Sequence, residues 1–144
     1  MWPQVTEKQV PPGVRDGVAD HIIYDNPSQA VIDRIEELRD QIPEPQRDYI
    51  TLAVGAAREN PVDNRYYVLG TSEPKGYLRH GVKPKLYEIV VCCKTKAHAE
   101  ITVIAFVVQE NWILLTIGAT RPICNDCRDA IQHVGAEPVT PLRP

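Results

Sequence analysis

Apolar residues recur at helical spacing in Val31, Ile32, Ile35, Leu38 and Ile42, which predicts an amphipathic helix over 28–42. Ser28 suits its N-cap, and Pro43-Glu44-Pro45 stops it. Tyr49, Leu52, Ala53, Ala56 and Ala57 share a face at the same period and predict a second helix over about 46–60, ended by Asn60-Pro61. The β-favouring run 65–70 predicts a strand, as does 86–93, and the pair could close as a hairpin with a long basic tip. Residues 101–108 are apolar throughout. Local propensity there favours a strand paired with 112–118, but a buried helix is equally apolar on all sides. The chemistry set out below needs a helix from His98 to about Glu110, and that reading is adopted. A strand over 112–118, a helix over 124–134 capped by Gly135, and a short strand at 138–140 complete the pattern. Residues 1–27 are rich in turn signals (Pro11-Pro12-Gly13, Gly17, Asp25-Asn26-Pro27) and read as an irregular arm with an apolar anchor at Ile22-Ile23-Tyr24.

With 144 residues, 43% of them hydrophobic, the chain can bury a core and is expected to form one domain over 46–144 preceded by an arm and helix over 1–45. No run approaches the ~20 apolar residues of a membrane span, so no membrane partner is expected. The first residues lack the basic-then-apolar order of a signal peptide. A net charge of −3 argues against nucleic-acid binding by the whole surface. Charge is nevertheless segregated: Lys75, Arg79, Lys83, Lys85, Lys94 and Lys96 face one acid, Glu88, between 75 and 96. That stretch is either a solvated loop or a strip that tracks phosphates beside a substrate site.

The chemistry concentrates between 98 and 127. His98, Cys124 and Cys127 offer three ligands for zinc and leave one position open, the ligand count of a catalytic rather than a structural site. A water polarised there would have its pKa lowered toward ~7. Glu100, two residues past the histidine, is placed to move its proton. Adjacent Cys92-Cys93 and the C-x-x-C spacing favour metal chemistry over disulfides. Two other readings of Cys124/Cys127 stay open. A thioredoxin-like redox pair would need more chain than the 17 residues after Cys127. A structural zinc site would need a fourth ligand from Cys92, Cys93, His80 or His133, none at ligand spacing.

His98-Ala99-Glu100, a strand, and Pro122-Ile123-Cys124-Asn125-Asp126-Cys127, with His98 and Cys124 26 residues apart, resemble the H-x-E and P-C-x-x-C pattern of zinc-dependent nucleobase deaminases. Over about 46–140 the chain thus resembles the cytidine deaminase-like superfamily. Around Arg121–Ile131 it looks most like the deaminase domains of bacterial polymorphic toxins and the C-x-D-C variant of plant organellar RNA editors. Ile123, between the proline and the first cysteine, and the short tail depart from the pattern.

The resemblance implies an α/β three-layer sandwich, a mixed central sheet with helices on both faces. It implies Zn2+ on His98, Cys124 and Cys127, with Glu100 as the catalytic proton shuttle. The implied activity is cytosine deamination on single-stranded nucleic acid, DNA in first place, with RNA or free nucleotides as the same-fold alternative. From a different class, a catalytically silent zinc module that only binds a partner is the alternative. Resemblance to toxins further implies secretion from a producer, action in a target cell's cytoplasm, and a cognate immunity protein. Tyr66, Tyr67, Tyr77 and Trp112 are candidate base-stacking groups, each also readable as packing.

Overall fold

The computed structural model describes residues 2–9 and 20–143. Six strands form one mixed sheet: β1 (Val5–Gln9), β2 (Leu52–Arg58), β3 (Arg65–Thr71), β4 (Glu88–Cys93), β5 (Ile113–Ala119) and β6 (Glu137–Pro138). Their order is β1-β4-β3-β2-β5-β6. The α-helices are α1 (His21–Asp25), α2 (Pro27–Gln41), α3 (Ala99–Gln109) and α4 (Asn125–His133). Among the described residues no helix is long and apolar enough to cross a membrane.

Side-chain alternation along the central strands builds two cores. Ala53 and Ala57 of β2, with Tyr66 and Val68 of β3, join a cluster with α3 and with Cys127 and Ile131 of α4. Leu52, Val54, Ala56, Tyr67 and Leu69 join the opposite cluster, with Ile23 of α1 and Ala30, Val31 and Leu38 of α2. Helices therefore cover both faces of a mixed sheet, the expected α/β layering.

The expected helix over 46–60 is overturned. A turn occupies its first residues, and Leu52–Arg58 is the strand β2, antiparallel to both β3 and β5. A strand buried on both faces shows no polar alternation, and its alanines mimic helix propensity; tertiary pairing decides. The small residues do serve close packing, but from the sheet side. A β-carbon on Gly55 would stand 2.8 Å from Val103 Cγ1 of α3, and one on Gly70 would stand 2.9 Å from the Ala99 carbonyl oxygen.

Two further expectations change. β3 and β4 are parallel rather than a hairpin, so residues 72–87 are a crossover connection. Residues 5–9, expected in an irregular arm, pair antiparallel with β4 and form the sheet's edge. The turn signals Pro11-Pro12-Gly13 and Gly17 lie outside the described residues. Helix α2 is capped by Asn26, whose Oδ1 accepts from Gln29 N at 3.1 Å, with Pro27 in the first turn. Ser28, expected in that role, donates instead to Glu137 Oε1 at 3.0 Å. The ambiguous segment 101–108 is helical, within α3. It packs on five strands of the sheet and also against α4, which explains its lack of a polar face.

One ion pair crosses the α2 face. Arg34 of α2 donates from Nε to Glu88 Oε2 at 2.6 Å and from Nη2 to Oε1 at 2.7 Å, and both side chains are buried. Burial opposes the Arg34 charge, but the bonds and charge of Glu88, with Glu37, outweigh it and raise the Arg34 pKa. Lys83 O also accepts from Arg34, and Lys85 N donates to Glu88, so the pair fixes the approach to β4. Removing one partner leaves an uncompensated buried charge. Glu88→Ala should therefore cost about 3–5 kcal/mol, while Arg34→Met with Glu88→Leu should recover most of that loss. Urea denaturation measures both; a single variant as stable as wild type contradicts the account.

Candidate metal centre

Strand directions place the site. β4 and β5 run parallel to β3, because β2 is antiparallel to both β3 and β5. The carboxyl ends of β3, β4 and β5 thus share one edge of the sheet, where α/β folds commonly carry their sites. α3 starts just after β4 and α4 just after β5, so both helix N-termini lie at this edge. His98 is the extended N-cap of α3, and Cys124 is that of α4.

The edge is held by hydrogen bonds that continue the ladder past the strands. Ser72 N donates to Thr51 O at 2.9 Å and Thr51 N to Ser72 Oγ at 3.0 Å. Thr120 N donates to Leu52 O at 2.9 Å and Leu52 N to Thr120 Oγ1 at 3.0 Å. The tail clamps the second cysteine-bearing loop: Ile123 N donates to Pro141 O at 3.0 Å and Arg143 N to Ile123 O at 2.7 Å. Ile123, the residue that departs from the deaminase pattern, is fully buried and carries this clamp.

The structure brings His98, Cys124 and Cys127 together, their ligand atoms all within 4.8 Å of one another. His98 Nδ1 is 3.5 Å from Cys124 Sγ and 3.4 Å from Cys127 Sγ, and both thiols are free. Cys92, Cys93, His80 and His133 do not join the group. Cys93 is buried and contacts Thr102 Oγ1 at 3.4 Å, while Thr102 donates to the His98 carbonyl at 3.2 Å, steadying the start of α3.

Glu100, in the first turn of α3, is only 3% exposed, yet it lines a cavity of about 480 Å³ that His98 and Cys124 also line. Burial pushes the Cys127 thiol up, and the Glu100 carboxylate and Cys124 beside it push it further. One imidazole with two sulfurs is a donor set suited to a metal ion. The group fits such an ion at His98, Cys124 and Cys127, with Glu100 beside it.

The expected stacking groups fare unevenly. Tyr66 is buried, stacks on Trp112 with centroids 4.2 Å apart, and donates its hydroxyl to Glu59. Tyr67 is buried on the α2 side, and Tyr77 is exposed but outside the cavity. Of the basic stretch, Arg79 pairs with Glu73 at 3.0 Å and Lys85 with Glu37 at 3.1 Å, and Lys96 alone lines the cavity. Sequence reasoning missed Tyr49, Arg121 and Arg143, which line the cavity from three separate segments. Their only sequence signal was proximity to the motif, and for Tyr49 not even that.

Comparison with protein-family models, with curated proteins and with solved structures finds no match.

Because thiols ligate as thiolates, loading with zinc should release about two protons per chain, and affinity should fall as pH falls. Indicator-dye titration at several pH values measures this. Cys124→Ser should lose the bound ion and lower the melting temperature, since the ligands tie two helix starts together. Full zinc occupancy in that variant by elemental analysis contradicts the ligand set.

Proposed function

We propose that this chain is a zinc-dependent deaminase that converts cytosine to uracil in single-stranded nucleic acid, DNA in first place. The observation that carries the reading is Glu100, a buried carboxylate facing the cavity beside a group of three metal-binding side chains. Burying a carboxylate costs several kcal/mol unless it is compensated. A module that only binds a partner gains nothing from placing one here, which disfavours the silent-module reading. The redox reading is weakened by His98, whose Nδ1 lies within 3.5 Å of both sulfurs. The structural-zinc reading lacks a fourth ligand among the described residues.

His98, Cys124 and Cys127 would hold Zn2+, which supplies a Lewis acid that makes water acidic enough to attack near neutral pH. The remaining work falls to Glu100. It takes a proton from the water as the oxygen bonds to C4 of the ring, and passes that proton to the ring nitrogen N3. It then carries the second water proton to the exocyclic amine as the C4–N bond breaks. The products are a uracil ring and ammonia, so atoms balance with no oxidant or reductant. The target base must be unpaired or flipped, because the C4 amine is inaccessible within a duplex. The cavity volume of about 480 Å³ accommodates one base. Toxin activity, action in a target cell's cytoplasm and a cognate immunity protein rest on the resemblance around Arg121–Ile131 alone.

Glu100→Gln tests the reading. It should keep zinc and the wild-type melting profile while lowering deamination of a cytosine-containing oligonucleotide by about 10²–10⁴-fold. Uracil excision and strand cleavage of the product provide the readout. A variant that keeps both zinc and full activity would falsify the mechanism.

A further inference from the structure

The cavity has a rim that the chemistry above does not use. Lys96 precedes α3, Arg121 follows β5, and Arg143 is carried in by the tail clamped on Ile123. Among the described residues no carboxylate pairs with any of these three cations. The rim's own acid, Glu73, is engaged by Arg79 at 3.0 Å. Glu100 lies buried below. The opening is therefore cationic on a chain whose net charge is −3.

On the same rim sits Tyr49, 77% exposed. The loop that carries it is braced on both sides. Ile50 is buried, and Arg47 donates from Nε to Ile42 O at 3.0 Å and from Nη2 to Asp40 O at 3.2 Å, closing the end of α2. An aromatic ring held out by a fixed loop, beside three cations with no carboxylate partner among the described residues, has the two parts of a single-strand binding surface. These are a π-face for a base and charge for the backbone.

Resting on the deaminase reading, we propose that this rim binds a single strand of nucleic acid. Tyr49 stacks a base next to the one entering the cavity, and Lys96, Arg121 and Arg143 hold the adjoining phosphates. The substrate is then a polymer rather than a free nucleotide, and the strand crosses the cavity mouth rather than the 75–85 stretch.

The test uses the full zinc-loaded chain carrying Glu100→Gln, so that turnover is slowed about 10²–10⁴-fold, and a fluorescein-labelled oligothymidylate containing one cytosine. Binding is followed by anisotropy across a salt series. Lys96→Gln, Arg121→Gln and Arg143→Gln together should lower the log K against log salt slope by about two, as expected for three contacts on a single strand. Tyr49→Ala should weaken binding about 5- to 150-fold, and Tyr49→Phe should not. Zinc content and melting curves establish that each variant is folded. An unchanged slope overturns the proposal, as does a flattened slope from Lys83→Gln with Lys85→Gln instead. Equal weakening of deoxycytidine monophosphate by the rim variants also overturns it, in favour of a mononucleotide pocket. The catalytically intact chain on the same strand separates the two readings. Rim-dependent binding without any uracil formed sinks the deaminase and supports the strand surface. Uracil formation without rim dependence does the reverse.

Discussion

How closely α3 can approach the sheet governs everything at the carboxyl edge. Its first turn rests over Gly70, where a β-carbon would meet the Ala99 carbonyl at 2.9 Å, and its middle rests over Gly55. Such contact distances leave no room for a side chain, and packed interiors do not deform to create it cheaply. His98 and Glu100 flank Ala99. The backbone that carries the His98 imidazole on one side and a buried carboxylate on the other is thereby fixed against the sheet. Ala53 and Ala57 of β2 extend the same constraint under the rest of the helix.

The second half of the site follows from topology. Parallel β4 and β5 each feed a helix whose start returns to the same edge, so two positive helix ends face one another across His98, Cys124 and Cys127. Thiolates are favoured there by the helix ends, while burial and the neighbouring Glu100 push the Cys127 thiol up. The tail does not add a strand of length, but by bonding to Ile123 it holds the loop before Cys124 and delivers Arg143 to the cavity.

What was legible in the sequence divides along the range of the interactions responsible. The convergence of His98, Cys124 and Cys127, with Glu100 lining the same cavity, was readable because each half is a short local motif. Helices α2 and α4 followed from local periodicity. Strand β2 was misread because a doubly buried strand of small residues carries no period-two signal, and its alanines suit a helix. Strand β1 was missed because its identity comes from pairing with β4, some eighty residues away. Helix α3 was assigned correctly only through chemistry; its β-branched residues alone favoured a strand. Tyr49, Arg121 and Arg143 are united by the fold and by nothing in their spacing.

The redistribution of positive charge shows why a sequence count of cations misleads. The stretch 75–96 holds six Lys and Arg against Glu88, and suggests one continuous basic surface. In the fold, Glu88 leaves that surface altogether to meet Arg34 in the interior, while Arg79 meets Glu73 of the same connection and Lys85 meets Glu37 of α2. Exposed pairs of that kind contribute little to stability, about 0–1 kcal/mol each, but they reduce the field available to a phosphate. Lys96 escapes this because it sits at the entry to α3, where the neighbouring cations Arg121 and Arg143 arrive from the far end of the chain. Field strength depends on convergence within roughly a Debye length, about 8–10 Å in physiological salt. Three cations that line one cavity and have no carboxylate partner among the described residues therefore act together, whereas the longer run loses Arg79 and Lys85 to Glu73 and Glu37.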